Sequence, residues 1–363
     1  MKTTKFAKRV LSLAAAAALM CSMAACGTNT ESAASAASAS STASQSESTA
    51  SSSTVYKVGI VKYVDDASLD QIEQAICDQL DAKGAELGVT FDYADYMKNG
   101  QTDSTTLNQI AADLIADEVD VIIPIATPAA LIMQAATEEN QIPVVFSAVS
   151  DPVGAGLVES LDAPGSNITG TSDALNAEAV IDLMLVANPD LKKLGLLYDQ
   201  GQDSSKLAIS EAIAYCQEKG IETVEKTGTT NDELALAADA LVAAEVDAIF
   251  TPTDNTVMTA ELAIYEKFIE AKIPHYAGAD SFALNGAFCG YGVNYVTLGT
   301  ATADMVVDVL VNGADPAQMP VQIMSSGIAM VNTETAEAIG LGYSAFQDLC
   351  EEVKETVTQE SFE

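Results

Sequence analysis

The feature that most constrains this chain is a pattern of strand and helix signals that occurs twice. Val119-Asp120-Val121-Ile122-Ile123-Pro124 is echoed by Val246-Asp247-Ala248-Ile249-Phe250-Thr251. Ile142-Pro143 is echoed by Ile273-Pro274, and Lys57-Val58-Gly59 by Lys193-Leu194-Gly195. In the first half, β-rich runs at 58–61, 89–93, 119–125 and 143–147 alternate with helical patterns at 69–82, 105–116 and 129–137. In the second, runs at 194–198, 221–225, 247–251 and 274–277 alternate with helices at 204–219, 232–244 and 256–271. Leu107, Ile110, Ala111, Leu114 and Ile115 show the helical period, with Ser104 as the expected N-cap. Strands alternating with helices predict parallel sheets covered on both faces. The expectation is an α/β chain of two doubly wound parallel-sheet lobes.

Open parallel sheets bind ligands beyond the carboxyl ends of their strands. Two such lobes facing each other make a cleft lined by the loops after those strands. In the first half that loop is Ile125-Ala126-Thr127-Pro128-Ala129-Ala130. Pro128 fits a first helical turn, and Thr127 is then the expected N-cap, beside free N–H groups that suit a carboxylate. Ser147 and Asp151 follow the next strand, with Gly154 and Gly156 after them. The matching loop of the second half is Pro252-Thr253-Asp254-Asn255, and the strand alignment sets Asp254 across the cleft from Thr127. Asp254 there is either an N-cap or a partner for an ammonium group. Asp280 ends a later strand, and Asp173 lies where the chain should pass between lobes. One lobe offers anion-friendly backbone and the other carboxylates, which fits a zwitterion, most simply an α-amino acid. Tyr63, Phe146, Tyr198, Phe282 and Tyr291 are the aromatics near strand ends, and Tyr198 is the one added to the candidate ligand contacts.

Charge narrows the function classes. The 363 residues carry 52 acids against 16 bases, a formal −36, with pI near 4.1. Arg9 is the only arginine, so the Lys and Arg clusters that hold nucleic acid are absent. No Gly-x-Ser-x-Gly elbow, phosphate-cradling Gly-Lys loop or His-rich metal spacing occurs, and the expectation is no enzyme, cofactor or metal. The single histidine, His275, falls in a strand pattern as a packed residue. Cys77 and Cys216 fall in helical patterns as small buried residues, and Cys289 and Cys350 show no metal spacing with them.

The first residues read as an address. Lys2, Lys5, Lys8 and Arg9 precede an apolar run at 10–20 that leads into Met23-Ala24-Ala25-Cys26-Gly27. This resembles a bacterial lipobox, which implies cleavage before Cys26 and lipidation of its thiol. The Ser/Ala/Thr-rich stretch that follows, to residue 54, lacks the apolar surface to fold and reads as a tether reaching roughly 30 Å. With residues 1–25 removed, the balance becomes 12 − 52 = −40.

Several segments together resemble the ABC transporter substrate-binding lipoproteins of the tryptophan/tyrosine-binding type. They are residues 125–130, the run Val144-Val145-Phe146-Ser147-Ala148-Val149-Ser150-Asp151-Pro152 with its continuation to Val158, and Pro252-Thr253-Asp254-Asn255-Thr256-Val257. Pro164-Gly165-Ser166-Asn167-Ile168-Thr169-Gly170 matches that family's Pro-Gly-x-Asn-Val/Ile-Thr-Gly run, while the loop Tyr63-Val64-Asp65-Asp66 departs from its pattern. The resemblance spans about 55–321 and implies a type I periplasmic-binding-protein fold, its lobes joined by three crossings. It implies a monomer that delivers an aromatic amino acid, or a related small molecule, to a permease and ATPase from a membrane-anchored, extracytoplasmic position. A sugar, nucleoside or other solute, or a tethered sensory role, is the alternative. Carried over, the ligand contacts are Thr127, Pro128, Ala129, Ser147, Asp151, Asp173, Thr253, Asp254, Asn255 and Asp280. The expected division is signal 1–25, tether 26–54, a first lobe of 55–171 plus 294–325, a second of 172–293 plus 326–355, and an acidic tail 356–363.

Overall fold

The computed structural model describes residues 54–359. The signal segment, Cys26, the tether up to residue 53 and the last four residues lie outside them.

β1 (Val55–Lys62) leads into α1 (Ala67–Leu87), β2 (Thr90–Asp92) and β3 (Met97–Asn99). Then come α2 (Ser104–Ala116), β4 (Val121–Ile125), α3 (Thr127–Thr137), β5 (Val144–Phe146) and β6 (Ile168–Ser172). These strands form one sheet in the order β6-β5-β4-β1-β2, with β3 also paired to β1. The chain crosses to a second sheet with α4 (Ala177–Ala187), β7 (Lys193–Tyr198), α5 (Asp203–Lys219), β8 (Glu222–Thr227), α6 (Asn231–Ala243) and β9 (Ala248–Thr251). α7 (Asn255–Ala271), β10 (His275–Ala277), α8 (Asp280–Leu284) and β11 (Cys289–Gly292) complete that passage. α9 (Tyr295–Leu310) and β12 (Gln322–Ile323) return to the first sheet, where β12 pairs with β6. β13 (Ile328–Asn332), α10 (Thr333–Ile339) and β14 (Glu352–Thr356) end in the second, ordered β14-β13-β11-β10-β9-β7-β8.

The chain therefore passes between the sheets three times, at 173–176, 293–294 and 324–327. The crossings hold one another: Met324 N donates to Ser172 O (2.9 Å) and Gly327 N to Gly292 O (3.0 Å). All pairs are parallel except β11 with β13. The parallel strands are covered on both faces: β4, β5, β6, β9, β10 and β11 are buried throughout, and β4, β5 and β9 are mostly apolar. α9 belongs with the first sheet and lies close on α1, because Gly299 has no side chain to strike the Ile72 carbonyl, 2.6 Å from where a Cβ would stand.

The end of the expected second lobe is a strand, β14, parallel to β13, and of the expected tail 356–363 only Thr356 belongs to it. Two cap expectations shift by one residue. α2 is capped by Asp103, which accepts from Thr106 N, and Ser104 is its first helical residue. α3 has Ala126 at the N-cap position, so Thr127 is inside the helix. Counted from the aligned strand residues Pro124 and Thr251, the α7 cap comes one residue later than the α3 cap, so Asp254, not Thr253, holds the position of Ala126. Cys77 and Cys216 are buried in α1 and α5 as expected. His275 is buried between Glu261 (2.9 Å from Nδ1) and Thr251 (2.8 Å from Nε2).

Candidate functional site

In each sheet, strand order reverses about one central strand: β1 sits between β2 and β4, and β7 between β8 and β9. The loops after β1, β4, β7 and β9 therefore stand at the switch points, where an open sheet leaves a crevice. Parts of all four loops meet between the lobes. There they enclose an inner cavity and, sharing Thr127 with it, an outer groove.

The first lobe gives the inner cavity Asp66, Ser68 and Leu69 from the start of α1, and Ala126 and Thr127 from the start of α3. Ala148 and Ser150 come from the loop after β5, Asp173 from the first crossing, and Tyr295 from the start of α9 just after the second. The second lobe gives Ser204, Thr253, Asp254, Asn255 and Met258, with Ala279, Ser281 and Phe282 around α8. Leu69, Met258 and Phe282 make it partly apolar. The cavity left between the walls is only about 30 Å³. The lobes are thus nearly shut on one another. The outer groove is wider, about 440 Å³ by the same measure, and runs past Tyr63, Thr127 and Pro128 to Asp199, Gln202 and Thr256. Tyr63 faces the second lobe: burial, then the carboxylates of Asp199 and Asp254, push its phenol up.

The three acids of the inner cavity differ in how much of their capacity the protein uses. Asp254 caps α7: one oxygen accepts from Thr256 N and Val257 N, both at 3.0 Å. Its other oxygen accepts from Asp199 N (2.7 Å) and Ser205 Oγ (2.6 Å). The capping reading of Asp254 thus describes its contacts within the protein. Asp66 caps α1 by accepting from Ser68 N and Leu69 N, and meets the Ser281 hydroxyl. Among the described residues the one side-chain donor on Asp173 is Ser150 Oγ, at 3.0 Å on Oδ1. Burial pushes all three carboxyls up to about 6.

At the start of α3 the situation is reversed. Ala126 offers no capping side chain and holds φ 80°, ψ 152°, a region that disfavours any residue but glycine. The first N–H groups of a helix have no partner within it, so those of Thr127 and Ala129 are unused there, and Pro128 has none. Thr127 Oγ1 and Thr253 Oγ1, both in the cavity wall, are buried hydroxyls without a partner among the described residues. Buried polar atoms in that state call for a ligand or solvent contact.

Of the residues named from sequence, Thr127, Asp173, Thr253, Asp254 and Asn255 share the inner cavity, and Pro128 lines the outer groove. Ala129 is packed in the first-lobe core. Ser147 is fully buried and bonds Thr302 on α9 (2.8 Å). Asp151 closes a turn on Gly154 N, and Tyr198 points to Glu225. Asp280 accepts from Ser68 and Gln71 on α1. Asp66, Ser68, Ser150, Ser204, Met258, Ser281 and Tyr295 were not singled out. Asp66 and Ser68 had a signal, an acid two residues before a serine directly after a strand, which is also what a plain helix cap looks like. Among the described residues no group of His, Cys, Asp and Glu could hold a metal ion.

Residues 57–349 match the family model described as ABC transporter substrate binding protein. The chain belongs to that family. This substrate-binding protein is 31% identical over 286 residues to a tyrosine-binding protein of Clostridioides difficile, covering 78% of this chain and 81% of the relative. A structure of an ABC domain in complex with L-Trp from Streptococcus pneumonia superposes with a TM-score of 0.76 at 30% identity, over 83% of this chain and all of that one. The ligand-free, open structure of a Clostridium difficile substrate-binding protein with adhesive properties gives 0.64 at 31%, over 84% of this chain and all of that one. At nearly the same identity, 30% and 31%, the likeness is greater to the complex than to the open form, in keeping with the narrow cavity. The architecture is that of type I periplasmic-binding proteins. Members of the family bind solutes outside the cytoplasmic membrane and work with ABC transporter components. No described helix is long and apolar enough to cross a membrane.

Proposed function

We propose that this substrate-binding protein captures an α-amino acid with an apolar, most simply aromatic, side chain and hands it to the permease and ATPase of an importer. One observation carries the reading. Asp173 is a buried carboxylate with a single side-chain donor among the described residues, inside a cavity that also holds the uncapped start of α3 and an apolar wall. The ammonium group takes Asp173, with Asp66 and Asp254 adding charge from behind their own donors. The carboxylate takes the N–H groups of Thr127 and Ala129 and the Thr127 hydroxyl. The side chain lies toward Leu69, Met258 and Phe282. The tyrosine-binding relative and the L-Trp complex support this ligand class.

Entry needs motion. Small-molecule sites usually hold about 300 Å³ or more, so the lobes swing apart at the three crossings, admit the ligand and close over it. The protein acts as a monomer, with lipid on Cys26 holding it beside the membrane through the tether. Titration calorimetry with the aromatic and branched-chain amino acids tests the ligand class. One of them should bind at micromolar Kd or tighter, and no heat from any would refute it.

A further inference from the structure

We propose that Thr358 and Gln359, just past β14, form a strap that positions α8, and that the ligand site loses affinity when the strap is released. This rests on the reading above in taking the cavity between the lobes as the ligand site. α8 is five residues long, a single turn that a chain does not hold by itself. Yet it gives the cavity Ser281 and Phe282, and its Asp280 meets Ser68 and Gln71 of the first lobe. Its other end is held by the chain after β14. Gln359 N donates to Leu284 O at 2.8 Å, one of the last carbonyls that a helix leaves free. Asn332 Nδ2 donates to the neighbouring Ala283 O at 2.8 Å and to Thr358 Oγ1 at 2.9 Å.

The strap is itself anchored at the start of α10. Thr358 N donates to Glu334 Oε2 at 3.2 Å, and Thr333 Oγ1 donates to Thr356 O at 3.0 Å. Asn332 is fully buried and caps α10 through Oδ1 on Thr335 N, so the amide that reaches both α8 and the strap has one orientation. These groups belong to the second lobe. The strap therefore ties α8 back to its own lobe, while Asp280 ties it forward to the first. Leu284 and Gln359 share one groove with Ala67, Gln71 and Val296 of the first lobe, which sets the strap at the seam along which the lobes close. With the strap released, α8 no longer presents Phe282 and Asp280 at a fixed depth, and the cavity wall and the contact between lobes loosen together.

Gln359→Pro in the full chain removes the donating N–H, whereas Gln359→Ala keeps it and removes only an exposed side chain. Amide exchange over residues 280–287 should be about tenfold faster in the proline variant, with α5 unchanged and the alanine variant like wild type. By calorimetry L-tyrosine should bind the proline variant about fivefold more weakly and the alanine variant at wild-type affinity. Thr358→Val, which takes the hydroxyl from Asn332, should act in the same direction and more weakly, and it decides on the same readings if the proline variant does not fold. Unchanged exchange over α8, a loosened α8 with wild-type tyrosine affinity, or an equal loss in the alanine variant overturns the proposal. No heat from L-tyrosine with the wild type refutes the amino-acid reading instead. The strap then stands if the unliganded proline variant shows both faster α8 exchange and a larger radius of gyration, and falls if either is unchanged.

Discussion

Ser68 Oγ donates to Asp280 Oδ1 at 2.6 Å, tying the start of α1 in the first lobe to α8 in the second. Gln71 Nε2 reaches the other oxygen of the same carboxylate at 3.1 Å, and Ser281 Oγ lies 2.9 Å from Ser68 Oγ. Asp280 lies outside the inner cavity wall, yet it joins its two sides. Asp280→Ala should therefore shift the unliganded protein toward the open form. A bond of this kind contributes about 1 kcal/mol net, so ligand affinity should fall about fivefold as the closed population shrinks. Small-angle scattering should show a larger radius of gyration for the unliganded variant. An unchanged radius with unchanged affinity would mean that the contact does not govern closure.

Asp173 carries a different expectation. Asn keeps the shape and can still pair with Ser150, but removes a charge that burial penalises. Asp173→Asn should melt at the wild-type temperature or above it while binding its amine ligand about 10–100-fold more weakly. A variant that melts as predicted and binds at wild-type affinity would take Asp173 out of the site.

The raised carboxyls set a pH dependence with a definite sign. Asp66, Asp173 and Asp254 hold protons up to about 6 in the folded state, above the ordinary carboxylate value of 3.8. Their contribution to stability is fully present below the ordinary value and is lost as pH rises through about 6. An ammonium ligand prefers the ionised Asp173, so affinity moves the other way. It should be full above pH ~7 and about tenfold weaker near pH 5. Calorimetry at the two pH values checks this. Flat affinity across that range would contradict it, and Asp173→Asn should flatten it.

Gly278 supports the wall without facing the ligand. A Cβ there would stand 2.7 Å from Thr253 N and 2.8 Å from the Pro252 carbonyl carbon, so backbone must move. Gly278→Ala should cost about 1–3 kcal/mol of stability, read by denaturant melts. It should also displace Thr253 and Asp254 enough to weaken binding. Wild-type affinity in the variant would show that this loop tolerates displacement.

The lobes were legible in the sequence because strands buried on both faces are written as apolar runs, and the repeat of β4 in β9 marked two copies. The strand-end rule then found Thr127, Thr253, Asp254 and Asn255. Cap positions were harder: strand alignment set Thr127 against Asp254, and only the later α7 cap shows Ala126 to be the true counterpart. Asp66 and Ser68 reach the cavity because α8 of the other lobe closes over α1, a relation between distant segments that their cap-like local pattern does not convey. Tyr295 enters just after a crossing, where nothing in Val293-Asn294-Tyr295 distinguishes a hinge from a loop. β14 was hidden because its half-buried, charge-rich residues carry neither a clean two-residue nor a helical period.

A crystal structure grown with L-tyrosine reads the geometry at the cleft itself. The ammonium should lie within about 3.2 Å of Asp173, the carboxylate should meet the start of α3, and both lobes should touch the ligand. Tyrosine bound outside the cleft, or seated there with its ammonium turned away from Asp173, would contradict the account.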